Sequence, residues 1–351
     1  MDQYGLDALL VTSEANRQYV TGFPSSAGMA IITKNDAFFL TDSRYIEAAI
    51  NTITEGHVME YGQQKPAVAL VQEILTQCQI RRLGFEELHT TVGEYRHWEE
   101  SLHCAFVPAS ALLTELRAVK DPTEIAALIA AQRIAEKALD EVLDFIKIGR
   151  TEQEIAAFLQ YRMLTYGAEK MSFDPIVVSG PNSSLPHGVP TDRALAADDF
   201  LTMDFGCIYQ GYCSDMTRTV ALGYVTEEME QIYATVLEAQ LAGISVIHPG
   251  VTGSTIHRAG AKVIADAGYG AFFGHGFGHG LGIEVHELPG AGLNSSDPLP
   301  VGTVITAEPG IYLPGRFGVR IEDVIIITED APQNITNAPK NLMIPSIVRV
   351  L

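Results

Sequence analysis

Long hydrophobic runs are missing from this chain. No stretch approaches the roughly eighteen consecutive apolar residues of a membrane span, and the opening Met1-Asp2-Gln3-Tyr4 lacks the basic region of a secretory leader. No membrane partner is expected, and cytoplasmic residence is the default. Cysteine is scarce: Cys78, Cys104, Cys207 and Cys213 are scattered with no Cys-x-x-Cys pair, as expected of reduced thiols rather than a disulfide framework. Positive charge is in short supply, with 23 basic residues against 43 acidic and a net charge of −20. A surface that negative repels phosphate backbones, so nucleic acid is excluded as a partner. Several catalytic signatures are absent as well. There is no Gly-Lys dipeptide for a Walker A loop, and neither G-x-S-x-G nor H-E-x-x-H occurs. The glycines from Gly274 to Gly282 fall on alternate positions, which rules out the spacing of a dinucleotide-binding loop.

What is present points to a globular α/β protein. Apolar residues make up 47% and charged residues 19% of 351 positions, enough for a sizeable core, and the length favours two domains. The first third mixes short apolar strands (Ala8–Val11, Ala37–Leu40) with helical stretches such as Val68–Cys78, and its edge falls near Arg117. Asp121-Pro122-Thr123-Glu124 then opens a helix with an acidic cap, proline in its first turn and a capping box. A second helix follows Thr151, and after it come a strand at Pro175–Ser179 and a hairpin with arms Phe200–Gly206 and Cys213–Leu222. The order then repeats: a helix from Thr226, another from about Ser254, strands in the stretch Gly274–His286, and a hairpin over Val304–Ile327. Thr226 follows Asp121 by 105 residues, Glu308 follows Asp204 by 104 and Glu322 follows Asp215 by 107, which indicates an internal duplication. Such a duplication brings its two hairpins together about a pseudo-symmetry axis, with helices outside the sheet.

Acidic residues sit at equivalent places in both hairpins. If the first turn is centred between Tyr209 and Gln210, Asp204 and Asp215 face each other; if the second is centred on Gly315, so do Glu308 and Glu322. Facing like charges are destabilising unless a cation offsets them. Three of the ten histidines, His275, His279 and His286, lie within twelve residues of a glycine-rich segment between the hairpins. Four carboxylates and an imidazole are enough to hold two divalent cations sharing bridging carboxylates and to activate water. Such oxygen-rich ligation suits Mn²⁺ better than Zn²⁺, with Co²⁺ or Zn²⁺ as alternatives. Glu308 is the candidate to accept the proton of that water.

Asp204 in Met-Asp-Phe-Gly, Asp215 in Ser-Asp-Met-Thr-Arg-Thr, His279 in Gly-His-Gly-Phe-Gly-His-Gly-Leu-Gly, Glu308 in Thr-Ala-Glu-Pro-Gly-Ile-Tyr and Glu322 in Arg-Ile-Glu-Asp together resemble the pita-bread metallopeptidases, which include prolidase, aminopeptidase P, methionine aminopeptidase and creatinase. The match runs from roughly residue 115 to the C-terminus. Tyr19-Val20-Thr21-Gly22-Phe23 and Leu40-Thr41-Asp42-Ser43-Arg44-Tyr45 are similar to the amino-terminal domain of bacterial aminopeptidase P and prolidase, a domain that methionine aminopeptidases lack. The resemblance implies an α/β (α+β) chain: a creatinase-like domain over 1–118, then a duplicated pita-bread catalytic domain over 119–351 with a curved, mainly antiparallel sheet and outer helices. It implies metal ligation by Asp204, Asp215, His279, Glu308 and Glu322. It gives His286 a hydrogen bond to the oxyanion, has His187 and His275 contact the substrate near the leaving nitrogen, and matches Arg320, which orients a carboxylate or lines the substrate cleft; Tyr312, at the end of Glu-Pro-Gly-Ile-Tyr, is a further candidate on the substrate side, behind the ligands. Short peptides with proline at the second position are the implied substrates, and a homodimer the implied assembly. Prolidases of the family typically carry Pro-Arg shortly after His-Glu. Here His286-Glu287-Leu288-Pro289 is followed by Gly290, which favours an Xaa-Pro aminopeptidase over an Xaa-Pro dipeptidase. Creatinase-like hydrolysis without metal and a non-enzymatic binding role are remoter alternatives, and the complete ligand set speaks against both.

Overall fold

The computed structural model describes residues 1–345. The chain divides into two compact units, Met1–Leu116 and Arg117–Leu351. Among the described residues no helix is long and apolar enough to cross a membrane.

The first unit contains strands β1 (Ala8–Val11), β2 (Met29–Thr33), β3 (Ala37–Thr41), β4 (His57–Glu60), β5 (Arg82–Phe85) and β6 (Ala105–Pro108). They form one sheet in the order β4-β3-β2-β1-β5-β6, antiparallel at β1–β2 and β2–β3 and parallel elsewhere. Helices α1 (Glu14–Thr21), α2 (Ile46–Thr52), α3 (Ala67–Gln77) and α4 (Val92–Ser101) lie between them in the chain, and α5 (Ser110–Ala118) follows β6. Strand β1 is buried along its whole length, as a central strand covered on both faces must be. Beyond β5 stands Glu86, fully buried. Its carboxylate accepts from Ser13 N at 2.9 Å, Ser13 Oγ at 2.6 Å, Asn16 Nδ2 at 2.7 Å and from Thr12 N, tying the start of α1 to the sheet. Burial opposes its charge, but these donors outweigh it and hold the carboxyl below the usual range. A carboxylate whose folded value is depressed stabilises fully above its unfolded pKa of about 4.3, and that contribution is lost as pH falls through the lower folded value. Glu86→Gln turns an acceptor into a donor facing donors. It is expected to lower stability by roughly 2–3 kcal/mol at neutral pH and to flatten the acid limb below about pH 4.3. Urea midpoints measured between neutral pH and pH 3 test this, and an unchanged acid limb would refute it.

In the second unit the capped helix start at Asp121 is realised. Asp121 accepts from Thr123 N and Glu124 N, and Glu124 reaches back, opening α6 (Pro122–Phe145). Thr151 and Glu154 form the same box at α7 (Glu152–Thr165). Then come β7 (Lys170–Met171), β8 (Ile176–Ser179), β9 (Asp199–Phe205), β10 (Cys207–Tyr209), β11 (Tyr212–Cys213) and β12 (Met216–Leu222). The series repeats with α8 (Glu227–Ser245), α9 (Gly253–Asp266), β13 (Gly278–Gly280), β14 (Glu287–Ala291), β15 (Val304–Ala307), β16 (Gly310–Leu313), β17 (Phe317–Arg320), β18 (Asp323–Ile326) and β19 (Gln333–Asn334). All named strand pairs here are antiparallel. Helices α6 and α7 pack on the Leu201, Met203, Phe205, Met216, Val220 face of the first hairpin. Helices α8 and α9 pack on Phe200, Ala221, Ile311, Val319 and Ile321.

Two expectations are corrected. The first hairpin turns at Gln210-Gly211, both with positive φ, so Asp204 pairs with Thr217 rather than Asp215. The slip is two residues, and because side chains alternate with period two, Asp204 keeps the face expected of it. The stretch Gly274–His286 is strand only over β13, and Leu281–His286 is loop. The second hairpin keeps the expected register: Leu313 pairs with Phe317, Gly310 with Arg320 and Ala307 with Asp323, with Glu308 and Glu322 between the last two pairs.

Candidate metal centre

Every residue of β12 is buried, although Thr217, Arg218 and Thr219 are polar. On one face Thr217 and Thr219 stand beside Asp204 and Thr202, their partners on β9. That face meets the second hairpin: Glu322 N donates to Thr217 O at 3.2 Å, and Thr219 Oγ1 to Arg320 O at 3.0 Å. The two hairpins are thereby stitched side by side, and their acidic residues converge at the base of a cleft of about 530 Å³.

Asp204, Asp215, His279, Glu308 and Glu322 all line this cleft. Asp215, His279 and Glu322 each offer a ligand atom within 4.8 Å of the others. His279 Nε2 lies 3.6 Å from Asp215 Oδ2 and 3.3 Å from Glu308 Oε1. Asp204 is turned aside, its Oδ2 accepting from Arg320 Nη2 at 2.5 Å. Asp215 follows β11 at a break in the strand, opposite Gly206, where a Cβ would sit 1.9 Å from Ser214 O. Close backbone approach there requires glycine. Gly278 is under the same constraint, since its Cβ would lie 1.9 Å from Thr306 O.

Two threonines not singled out in the sequence bind the carboxylates. Thr217 Oγ1 donates to Glu322 Oε2 at 2.7 Å, and Thr306 Oγ1 donates to Glu308 Oε1 at 3.2 Å while accepting from His279 N at 3.0 Å. Each lies two residues from an acidic ligand candidate in its own motif, the one signal that pointed to them.

Burial and mutual repulsion govern the electrostatics. Burial, then Glu322, Asp204 and Glu308, push Asp215 well above its ordinary value. Burial, then Glu308 and Asp204, do the same to Glu322. Glu308 is raised to about 8, chiefly by burial. His279 is pushed down to about 4, by burial first and then by His286, so its ring is neutral. Its Nδ1 is 3.1 Å from Gly280 O, a partner that can only accept, and this assigns the proton to Nδ1 and leaves Nε2 as an acceptor aimed at carboxylate oxygens. Acceptors facing acceptors in a buried site need a shared proton or a cation between them, and a divalent cation serves all of these groups at once. Among the described residues Asp204 Oδ1 and Asp215 Oδ1 are buried with no hydrogen-bond partner, which leaves both oxygens available as ligands. The donor set therefore fits divalent metal.

The other sequence candidates line the same cleft or stand just behind it. His187 and His286 are exposed on its walls, and His286 packs edge-on to His279 with ring centroids 4.2 Å apart. His275 lines the cleft, but its ring nitrogens are taken within the protein, Nδ1 by Gly276 O at 2.8 Å and Nε2 by Tyr312 Oη at 2.9 Å. Tyr312 is buried behind it and accepts from Arg320 Nη1 at 2.8 Å. Arg320 donates to Asp204, Tyr312, Thr217 and Pro186 O. Arg320 also lines the cleft, and in this structure the polar groups of Arg320 and Tyr312 orient Asp204 and His275. Burial works against the Arg320 charge, yet Tyr312, Asp204 and Glu308 outweigh it and keep it firmly protonated.

A duplicated, antiparallel metal-binding unit with outer helices defines a pita-bread metallopeptidase. Residues 126–329 match Metallopeptidase family M24 and residues 1–119 the Creatinase/Prolidase N-terminal domain, and the chain belongs to that family, within its Xaa-Pro peptidase branch of prolidases and aminopeptidases P. An uncharacterised peptidase of Bacillus subtilis (strain 168) is 43% identical over 343 residues, covering 97% of both chains. The structure of a Xaa-Pro dipeptidase from Bacillus anthracis superposes with a TM-score of 0.94 at 40% identity, covering 98% of this chain and 96% of that one. An X-Pro aminopeptidase from Thermotoga maritima MSB8 does so with a TM-score of 0.92 at 34% identity, covering 99% of each.

Proposed function

We propose that this chain is an Xaa-Pro aminopeptidase that holds two divalent ions, Mn²⁺ in the cell, with Asp204, Asp215, His279, Glu308 and Glu322. The observation that carries the metal site is the neutral His279 presenting an acceptor nitrogen to Asp215 and Glu308, beside the orphaned Oδ1 atoms of Asp204 and Asp215. Mn²⁺ is favoured by the excess of carboxylate oxygen over nitrogen among the ligands. Paired cations polarise a carbonyl and activate water at neutral pH.

The chain's own groups do the rest. Glu308, with Oε1 steadied by Thr306, accepts a proton from the attacking water. His286 donates to the oxygen that gains charge at the scissile carbonyl. His187 stands at the leaving nitrogen. His275, locked by Tyr312, presents its ring to the substrate, and Arg320 holds Asp204 in place. The bond to proline suits a dedicated site, because an imide nitrogen has no N–H and bends the peptide. A homodimer, on the resemblance alone, and cytoplasmic residence, the default for such a sequence, complete the reading.

The preference for longer peptides rests on Gly290, which puts no arginine where a dipeptide's carboxylate would be bound. With Mn²⁺, Xaa-Pro-Yaa tripeptides are expected to exceed Xaa-Pro dipeptides in kcat/KM by at least about tenfold, within reach of one pocket contact. A panel of both lengths, assayed with Mn²⁺, Co²⁺ and Zn²⁺, decides. Cleavage of dipeptides alone would favour the second reading, an Xaa-Pro dipeptidase, which the similarity to the Bacillus anthracis dipeptidase supports.

A further inference from the structure

The hairpin that carries Glu308 and Glu322 keeps one register from tip to base, yet its ladder is cut where the two glutamates stand. Pro309 has no N–H to give. The N–H groups of Glu308 and Glu322 point away from each other's strand, to Phe277 O at 2.8 Å and Thr217 O at 3.2 Å. Directly before each glutamate is a carbonyl that a side chain meets. Gln240, fully buried on α8, donates Nε2 to Ala307 O at 3.2 Å and to Ile321 O at 3.4 Å. Its Oε1 accepts from Lys340 Nζ at 3.0 Å, and Lys340 pairs with Asp323 Oδ2 at 2.8 Å. The amide's orientation is forced, because carbonyls only accept and an ammonium only donates.

On α8 this side chain replaces an apolar one. Met229, Ile232, Val236 and Ala239 bury the same face of the helix. A methionine would fill the volume without the cost of burying an amide. The amide contributes geometry instead, bridging the two strands at the point where ladder pairing stops.

We propose that Gln240 is a positioning residue for the metal centre, fixing the backbone that presents Glu308 and Glu322, with Lys340 orienting its amide. This rests on reading those glutamates as cation ligands. The test titrates the chelator-treated full chain with Co²⁺ by calorimetry and visible absorption, and then measures kcat and KM with Mn²⁺ on an Xaa-Pro-Yaa peptide. Gln240→Met is expected to weaken Co²⁺ binding about 10–100-fold, the usual effect of losing a group that supports metal ligands. It should also shift the Co²⁺ absorption band and lower kcat with KM unchanged. Lys340→Met should move the same readouts less. Val236→Ala, on the same buried face, should melt earlier but bind Co²⁺ as the parent does. Parental Co²⁺ affinity in Gln240→Met overturns the proposal, as does an equal loss of affinity in Val236→Ala. A parent that binds no Co²⁺ overturns the metal site itself, and the proposal with it.

Discussion

Replacing Asp215 with asparagine is expected to take peptidase activity to background and yet raise the melting temperature of the metal-free protein. Asp215 is 4% exposed and crowded by Glu322, Asp204 and Glu308, and its Oδ1 has no hydrogen-bond partner among the described residues. Without cations that arrangement works against folding, because a buried carboxyl among like charges lacks its solvation and gains nothing from its neighbours. The neutral, isosteric amide relieves the strain while weakening the ligand. Sites built for function commonly hold stability down in this way. For a unit of this size each kcal/mol relieved is worth roughly 2–4 °C. Melting of chelator-treated parent and variant, alongside turnover of an Xaa-Pro-Yaa peptide with Mn²⁺, provides both readouts. A variant that melts below the parent, or that retains turnover, would contradict the site described.

Arg218→Met should have the opposite character, a large loss of stability with or without metal. Arg218 and Asp323 form an ion pair at 2.8 Å, both side chains being 0% exposed. The guanidinium also donates to the carbonyls of Pro339 at 2.9 Å, Thr217 at 2.9 Å, Glu322 at 2.6 Å and Ala338 at 2.7 Å. Methionine fills the space but takes the guanidinium away from all four carbonyls and leaves Asp323 to Lys340 and Asn334 among the described residues. Breaking one side of such a pair costs about 3–5 kcal/mol. Urea denaturation measures it, and the double variant with Asp323→Asn should lose less than the sum of the two single changes. A loss below about 1 kcal/mol, the value of an exposed pair, would mean that the network does not hold the hairpins together.

The parts of this centre that were legible in the sequence are those governed by local chemistry. Caps at Asp121 and Thr151 are short-range hydrogen-bonding patterns, and the helices began where those residues stood. The second hairpin was readable because Pro314-Gly315 marks its turn. The first was misplaced because Gln210-Gly211 is a weaker two-residue signal than Asn-Gly, and nothing else in the local sequence fixed the centre. What the sequence concealed was which distant polar groups meet. Thr217 and Thr306 read as ordinary strand residues, and the destinations of the Arg320 guanidinium depend on the side-by-side stitching of two hairpins a hundred residues apart. Gln240 did leave a trace, as a lone amide on the apolar stripe of α8, but its partners come from the second hairpin and from Lys340.

The interruption at Glu308-Pro309 has a kinetic consequence. Both glutamates sit at the seam between two short ladders, and their amides are tied to Phe277 and Thr217 on neighbouring segments. Moving either glutamate therefore means breaking its backbone tie to a neighbouring segment, Phe277 for Glu308 and Thr217 for Glu322. A shift of either glutamate and local opening of the sheet become one event, and the frequency of that opening sets how often the two carboxylates leave their places.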